Sequence, residues 1–123
     1  MNQSRRTILL IIRVLTAIYW IILFAGTHVP VKVPKAGPND KTIHFVGYAL
    51  LGVLLWLSIN PKRWWLSLAI AGVLMLYGAI DELTQPLVGR ACDFNDWIAD
   101  SAGAIVAVAS CALIARLKGS KPV

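Results

Sequence analysis

All six acidic residues of this 123-residue chain fall between positions 40 and 100: Asp40, Asp81, Glu82, Asp93, Asp96 and Asp100. Carboxylates can move protons, hold a divalent cation or pair with a cationic group. His44, Tyr48 and Gln85 lie near them in the pattern, with Lys41 and Arg90 as the nearby cations. An ionisable group next to hydrocarbon is costly unless it is paired, hydrated or functional. A polar site or a polar lock is therefore expected wherever these residues meet.

The elements that position them are apolar. The chain is 58% hydrophobic, and a spanning helix needs roughly 20 mostly apolar residues. Four stretches qualify, and the expected helices are 7–26, 40–59, 64–85 and 95–116, the second recruiting Asp40 to Thr42 as a polar first turn. They consume most of the chain. The expected fold is all-α, a single polytopic membrane domain built as a bundle of four transmembrane helices.

Charge gives the expected orientation. Arg5 and Arg6 precede the first stretch, Lys62 and Arg63 sit in the turn after Asn60-Pro61, and Arg116, Lys118 and Lys121 follow the last. Positive residues in short loops mark the cytoplasmic side, so both termini are expected to be cytoplasmic. All the acids, with His28, His44, Lys32, Lys35, Lys41 and Arg90, then face outside. Arg13 is expected to snorkel toward the inner end. The net charge of +6 is explained by this asymmetry, and no nucleic-acid partner is expected.

Two features are set aside. Ser4-Arg5-Arg6-Thr7 resembles a twin-arginine signal, but the apolar stretch is longer than a signal peptide's and no clear cleavage site follows it. Arg5 and Arg6 read better as an anchor. Cys92 is expected in the outer loop and Cys111 deep in the fourth helix, 19 positions or roughly 28 Å of helix apart, too far for a disulfide.

The loop Thr27–Asn39, with Pro30, Pro34, Gly37 and Pro38, is expected to lie extended over the bundle, with His28 as an ordinary surface histidine. Asp40 is a candidate helix cap. His44 and Tyr48 are one turn apart and share a face with Gly47, Leu51 and Gly52, where glycine admits a neighbouring backbone. Asp81, Glu82 and Gln85 close the third element, where acids oppose the helix dipole by ~0.3–1 kcal/mol each. Ala71, Leu74 and Gly78 extend their stripe. Arg90 most simply forks onto a carboxylate. Asp93 and Asp96 suit a cap and first turn. Asp100 lies a turn deeper, where no free N–H groups remain to be capped, above the small face Gly103, Ala104, Ala107 and Cys111.

Joined, these elements present Lys41, His44, Tyr48, Asp81, Glu82, Gln85, Arg90, Asp93, Asp96 and Asp100 to one pocket as candidate ligand-binding residues. Asp81, Glu82, Asp93, Asp96 and Asp100 cannot all ionise cheaply beside one arginine and one imidazole, so protons or a cation must offset them. A divalent cation is the one cofactor to consider, with Asp81, Glu82 and Asp93 as candidate ligands. No cofactor is required by the spacing.

The order of three blocks resembles the VanZ-like family of small bacterial membrane proteins. These are Asp40-Lys41-x-x-His44-Phe45-x-x-Tyr48-x-x-Leu51-Gly52, then Asp81-Glu82-Leu83-x-Gln85, then Gly89-Arg90-x-x-Asp93-x-x-Asp96-Trp97 followed by Gly103. The family pattern more often has asparagine where this chain has Asp100. The resemblance implies a multi-pass protein of the bacterial cytoplasmic membrane. The family's namesake is associated with resistance to the glycopeptide teicoplanin.

Three functions stay open. In the first the chain is not an enzyme and binds a lipid headgroup, a lipid-linked wall precursor or a lipoglycopeptide. Arg90 and Lys41 then meet anionic groups, and Trp97 and Tyr48 give apolar contact. The second is a membrane-embedded hydrolase or transferase acting on a headgroup or phosphate ester. His44 is its acid/base, oriented by Asp96 or Glu82, and Arg90 stabilises charge. The third is a structural or ion-binding subunit. The Ala- and Gly-rich fourth helix also leaves a homo-oligomer open.

Overall fold

A computed structural model describes residues 3–29 and 38–119, with the side chains of Pro38 and Asn39 left aside. The described residues form four α-helices: α1 (Gln3–His28), α2 (Pro38–Ile59), α3 (Trp64–Thr84) and α4 (Phe94–Gly119). Each is long and apolar enough to cross a membrane. The expected extended loop, with Lys32 and Lys35, lies mostly outside the described residues, as does Lys121.

The helix ends follow from local chemistry. α2 opens on Pro38, a position where proline's missing N–H costs nothing. This corrects the expected cap: Asp40 is the third helical residue, in the first turn, where its charge still suits the dipole. α2 stops at Asn60, which adopts φ 50° and donates its N–H to Trp56 O at 2.8 Å. Asparagine tolerates that left-handed geometry, and Pro61 prevents continuation. α3 runs into a 3-10 turn, Gln85–Val88, closed by Gly89 at φ 79°, where a side chain would be strained. Asp93 then caps α4, its Oδ1 accepting the Asn95 N–H at 2.8 Å.

α2 and α4 form the tightest pair. A Cβ built on Gly103 would lie 2.1 Å from Phe45 O, and one on Gly52 would lie 3.3 Å from Ala107 Cβ. The two backbones are therefore in contact at Gly52 of α2 and the small face of α4, while Gly47, expected on the same α2 face, meets Leu23 of α1. Leu51, Trp56, Ile70, Leu74, Ala104 and Val108 form the core beside this seam. Away from it the helices show apolar side chains outward, among them Ile21, Leu68, Leu76 and Leu113. Such surface suits lipid, where association rests on close packing and interhelical hydrogen bonds.

α1 is tied to α2 by a stripe of polar side chains at three-residue spacing. Arg13 Nε donates to Ser58 O at 3.2 Å, Thr16 Oγ1 reaches Leu54 O at 3.2 Å, and Tyr19 OH donates to Gly47 O at 3.0 Å. Arg13 thus points toward the basic end, as snorkelling requires. At the other end, contacts between His28 and Thr84 and between Lys41 and Asp93 bring the close of α1 and α3 to the start of α2 and α4. The helices therefore alternate in direction, and the acids gather at one end.

Candidate functional site

Lys41 projects from the first turn of α2. Its Nζ donates to Asp93 Oδ2 at 2.7 Å and to Asp96 Oδ1, tying α2 to the start of α4. Here the structure corrects two expectations. Lys41, about a third exposed, is already engaged by protein carboxylates and is not a free cation for a ligand. Arg90 was expected to hold the loop through a carboxylate. Among the described residues it joins no ion pair. Lys41 has taken Asp93 and Asp96, and Gly89's turn sets the Arg90 N–H on Gln85 O at 3.2 Å. Asp93 is the acid beyond the spans. The hydrogen bond from Lys41 holds its carboxyl below the usual carboxylate range.

His44 lies one turn below Lys41 and is buried. Its Nδ1 is 3.0 Å from Asp100 Oδ1, and its Nε2 is 3.9 Å from Asp96 Oδ2. Asp100 therefore orients the ring, correcting the expectation that Asp96 or Glu82 does so. The seam at Phe45 and Gly103 sets this register by bringing the His44 level of α2 against the Asp100 level of α4. Asp100 is 0% exposed, about 9 Å along the helix from its start. Its Oδ2 has no partner among the described residues.

The α3 acids divide. Glu82 accepts from Gln85 Nε2 at 2.6 Å and from the Asp93 backbone N–H at 3.0 Å, fastening the end of α3 to the cap of α4. Asp81 instead faces α1: Thr27 Oγ1 donates to its Oδ1 at 3.0 Å, while Oδ2 has no partner among the described residues. Tyr48 is 0% exposed and its hydroxyl is also unpartnered. That corrects its expected role in touching a ligand at the surface. It lies in the interior beside Tyr77, ring centroids 5.8 Å apart. Trp97 is half-buried and donates Nε1–H to Met75 O at 3.0 Å.

Thr27 and His28 were missed as site residues. His28 Nε2 is 2.9 Å from Thr84 Oγ1, and Nδ1 is 2.9 Å from Phe24 O and 3.5 Å from Asp81 Oδ1. It is thus no ordinary surface histidine. α1 runs two residues further than expected and carries both into the cluster. The signal was available: Thr27 continues the polar stripe of Arg13, Thr16 and Tyr19.

Two groups bring metal-binding atoms within 4.8 Å of one another: Asp40, His44 and Asp96, and His44, Glu82 and Asp100. Of the expected ligands only Glu82 belongs to either group. Asp81 is turned toward Thr27, and Asp93 is spent on Lys41 and its own helix cap. Cys92 and Cys111 are both free.

A groove of about 910 Å³ opens at the opposite end beside Trp56, Trp64, Trp65, Lys62 and Arg63. It holds no cluster of acids or imidazoles. The acids and imidazoles gather instead at the polar end, where several buried polar atoms have no partner among the described residues.

Four apolar helices enclosing a polar cluster at one end define a small multi-pass membrane protein. The chain belongs to the VanZ/LLP1 family, whose model matches residues 3–115, nearly its whole length. Comparison with curated proteins gives no match, nor does comparison with solved structures.

Proposed function

We propose that the chain is a bacterial envelope membrane protein whose polar end faces outside and binds an anionic, lipid-anchored headgroup. The carrying observation is Arg90. It lies three residues before Asp93, with its N–H on Gln85 O, yet pairs with no carboxylate among the described residues. A guanidinium with no carboxylate partner at the polar end is suited to a phosphate or carboxylate brought from the membrane surface. Lys41, Asp93 and Asp96 shape the rim around it. Lipid headgroups, lipid-linked wall precursors and lipoglycopeptides such as teicoplanin all present anionic groups on a lipid tail. The positive-inside pattern supports the orientation.

The test is binding of wall-precursor lipid, anionic phospholipid and teicoplanin to detergent-purified protein. Arg90→Ala is expected to weaken binding of the true ligand at least tenfold with an unchanged thermal midpoint. Equal binding by the folded variant overturns the reading.

A second reading is favoured by the His44–Asp100 contact. A carboxylate-oriented imidazole is equipped for general acid/base catalysis on a phosphate ester. Turnover of a lipid phosphate ester by wild type, lost in folded His44→Ala, decides for it.

A further inference from the structure

We propose that His44, Glu82 and Asp100 form a binding site for one divalent first-row transition-metal ion inside the polar end. Each offers a ligand atom within 4.8 Å of the other two, and all three residues are buried. Two carboxylates and one imidazole are a mixed donor set suited to Zn²⁺ or Mn²⁺. Donor spacing fits as well. Two ligands about 2.1 Å from an octahedral ion and at right angles lie ~3.0 Å apart, and His44 Nδ1 and Asp100 Oδ1 are 3.0 Å apart, so a metal would replace the proton that they share in its absence.

The independent observation is Asp100 Oδ2. It belongs to a residue that is 0% exposed and has no hydrogen-bond partner among the described residues. A buried carboxylate oxygen without a donor is expensive, and a bound cation would satisfy it. Glu82 is already oriented from outside the group, by Gln85 Nε2 at 2.6 Å and the Asp93 N–H at 3.0 Å. Such outer hydrogen bonds commonly fix metal-ligating carboxylates.

The overlapping group of Asp40, His44 and Asp96 is the weaker choice. Lys41 Nζ is already bonded to Asp96, and its ammonium would repel a second cation at that ligand. No lysine or arginine pairs with Glu82 or Asp100 among the described residues. Three protein ligands would leave coordination positions open for water or a ligand oxygen. Metal binding at these residues requires neither a particular orientation in the membrane nor a headgroup on Arg90.

The test is titration of chelator-stripped, detergent-purified protein with Mn²⁺ and Zn²⁺, followed by calorimetry and thermal midpoint. One saturating ion per chain is expected, with the two metals competing. Asp100→Asn and His44→Gln, checked for folding by circular dichroism, are expected to lose affinity at least tenfold. Absence of saturable binding to folded wild type overturns the proposal, as does unchanged affinity in both variants. Should neither variant fold, the spin-echo spectrum of Mn²⁺-loaded His28→Gln protein decides. Nitrogen coupling assigns His44 as a ligand, and its absence overturns the site.

Discussion

Asp93 divides its two oxygens between two tasks. Oδ1 caps α4 through the Asn95 N–H at 2.8 Å, and Oδ2 holds Lys41 at 2.7 Å. Asparagine keeps the first task and loses the second. Asp93→Ala is therefore expected to cost about 1 kcal/mol for the lost cap, and Asp93→Asn less, read from detergent unfolding midpoints. The Lys41 hydrogen bond depresses the Asp93 carboxyl from its ordinary 3.8. A depressed value stabilises the fold fully above about pH 4 and is lost as pH falls through the folded value. The gap between wild type and Asp93→Asn should stay constant from pH 8 to 5 and close below pH 4. A gap that opens only in acid contradicts this pairing. At this scale the sequence located the residues better than their partners. Helical spacing put His44, Asp96 and Asp100 at one end. Whether Asp96, Glu82 or Asp100 meets the ring depends on an interhelical register that no single-helix pattern contains. For the same reason it is Lys41, and not Arg90 as expected, that holds the carboxylates.

Between elements, the α2–α4 seam decides whether the polar cluster exists at all. A Cβ on Gly103 meets a backbone carbonyl at 2.1 Å, which cannot rotate away. Gly103→Ala is expected to destabilise by at least the ~1–3 kcal/mol of an overpacked core, outweighing the ~1 kcal/mol alanine gains in a helix. Gly72 has nothing within 4 Å of a built Cβ, so Gly72→Ala should be neutral or stabilising by up to ~1 kcal/mol. Equal midpoints for these two variants would show that the seam is misplaced. His44→Ala separates a site from a lock. If the cluster only fastens helices, its thermal midpoint and its function fall together. A folded variant that has lost binding rejects the lock. The seam was legible because Gly52, Gly103, Ala104 and Ala107 form small stripes, although Gly47, expected on the same face, turns toward Leu23 of α1. The part played by α1 was not, since reading Thr27 and His28 as loop removed them from their stripe.

For the whole molecule, the four apolar stretches and the clustering of acids were plain in composition and order, because spanning length and charge cost leave few alternatives. Orientation rests on the charge asymmetry of the loops alone. The chain carries its own probe of it. Cys92 is exposed in the short segment before α4, at the polar end, while Cys111 is half-buried within α4. The decisive measurement is labelling of intact spheroplasts with a membrane-impermeant maleimide. A polar site open to the outside predicts labelling of wild type without permeabilisation, abolished by Cys92→Ser and retained in Cys111→Ser. Labelling of Cys92 only after the membrane is opened would contradict the outward-facing site.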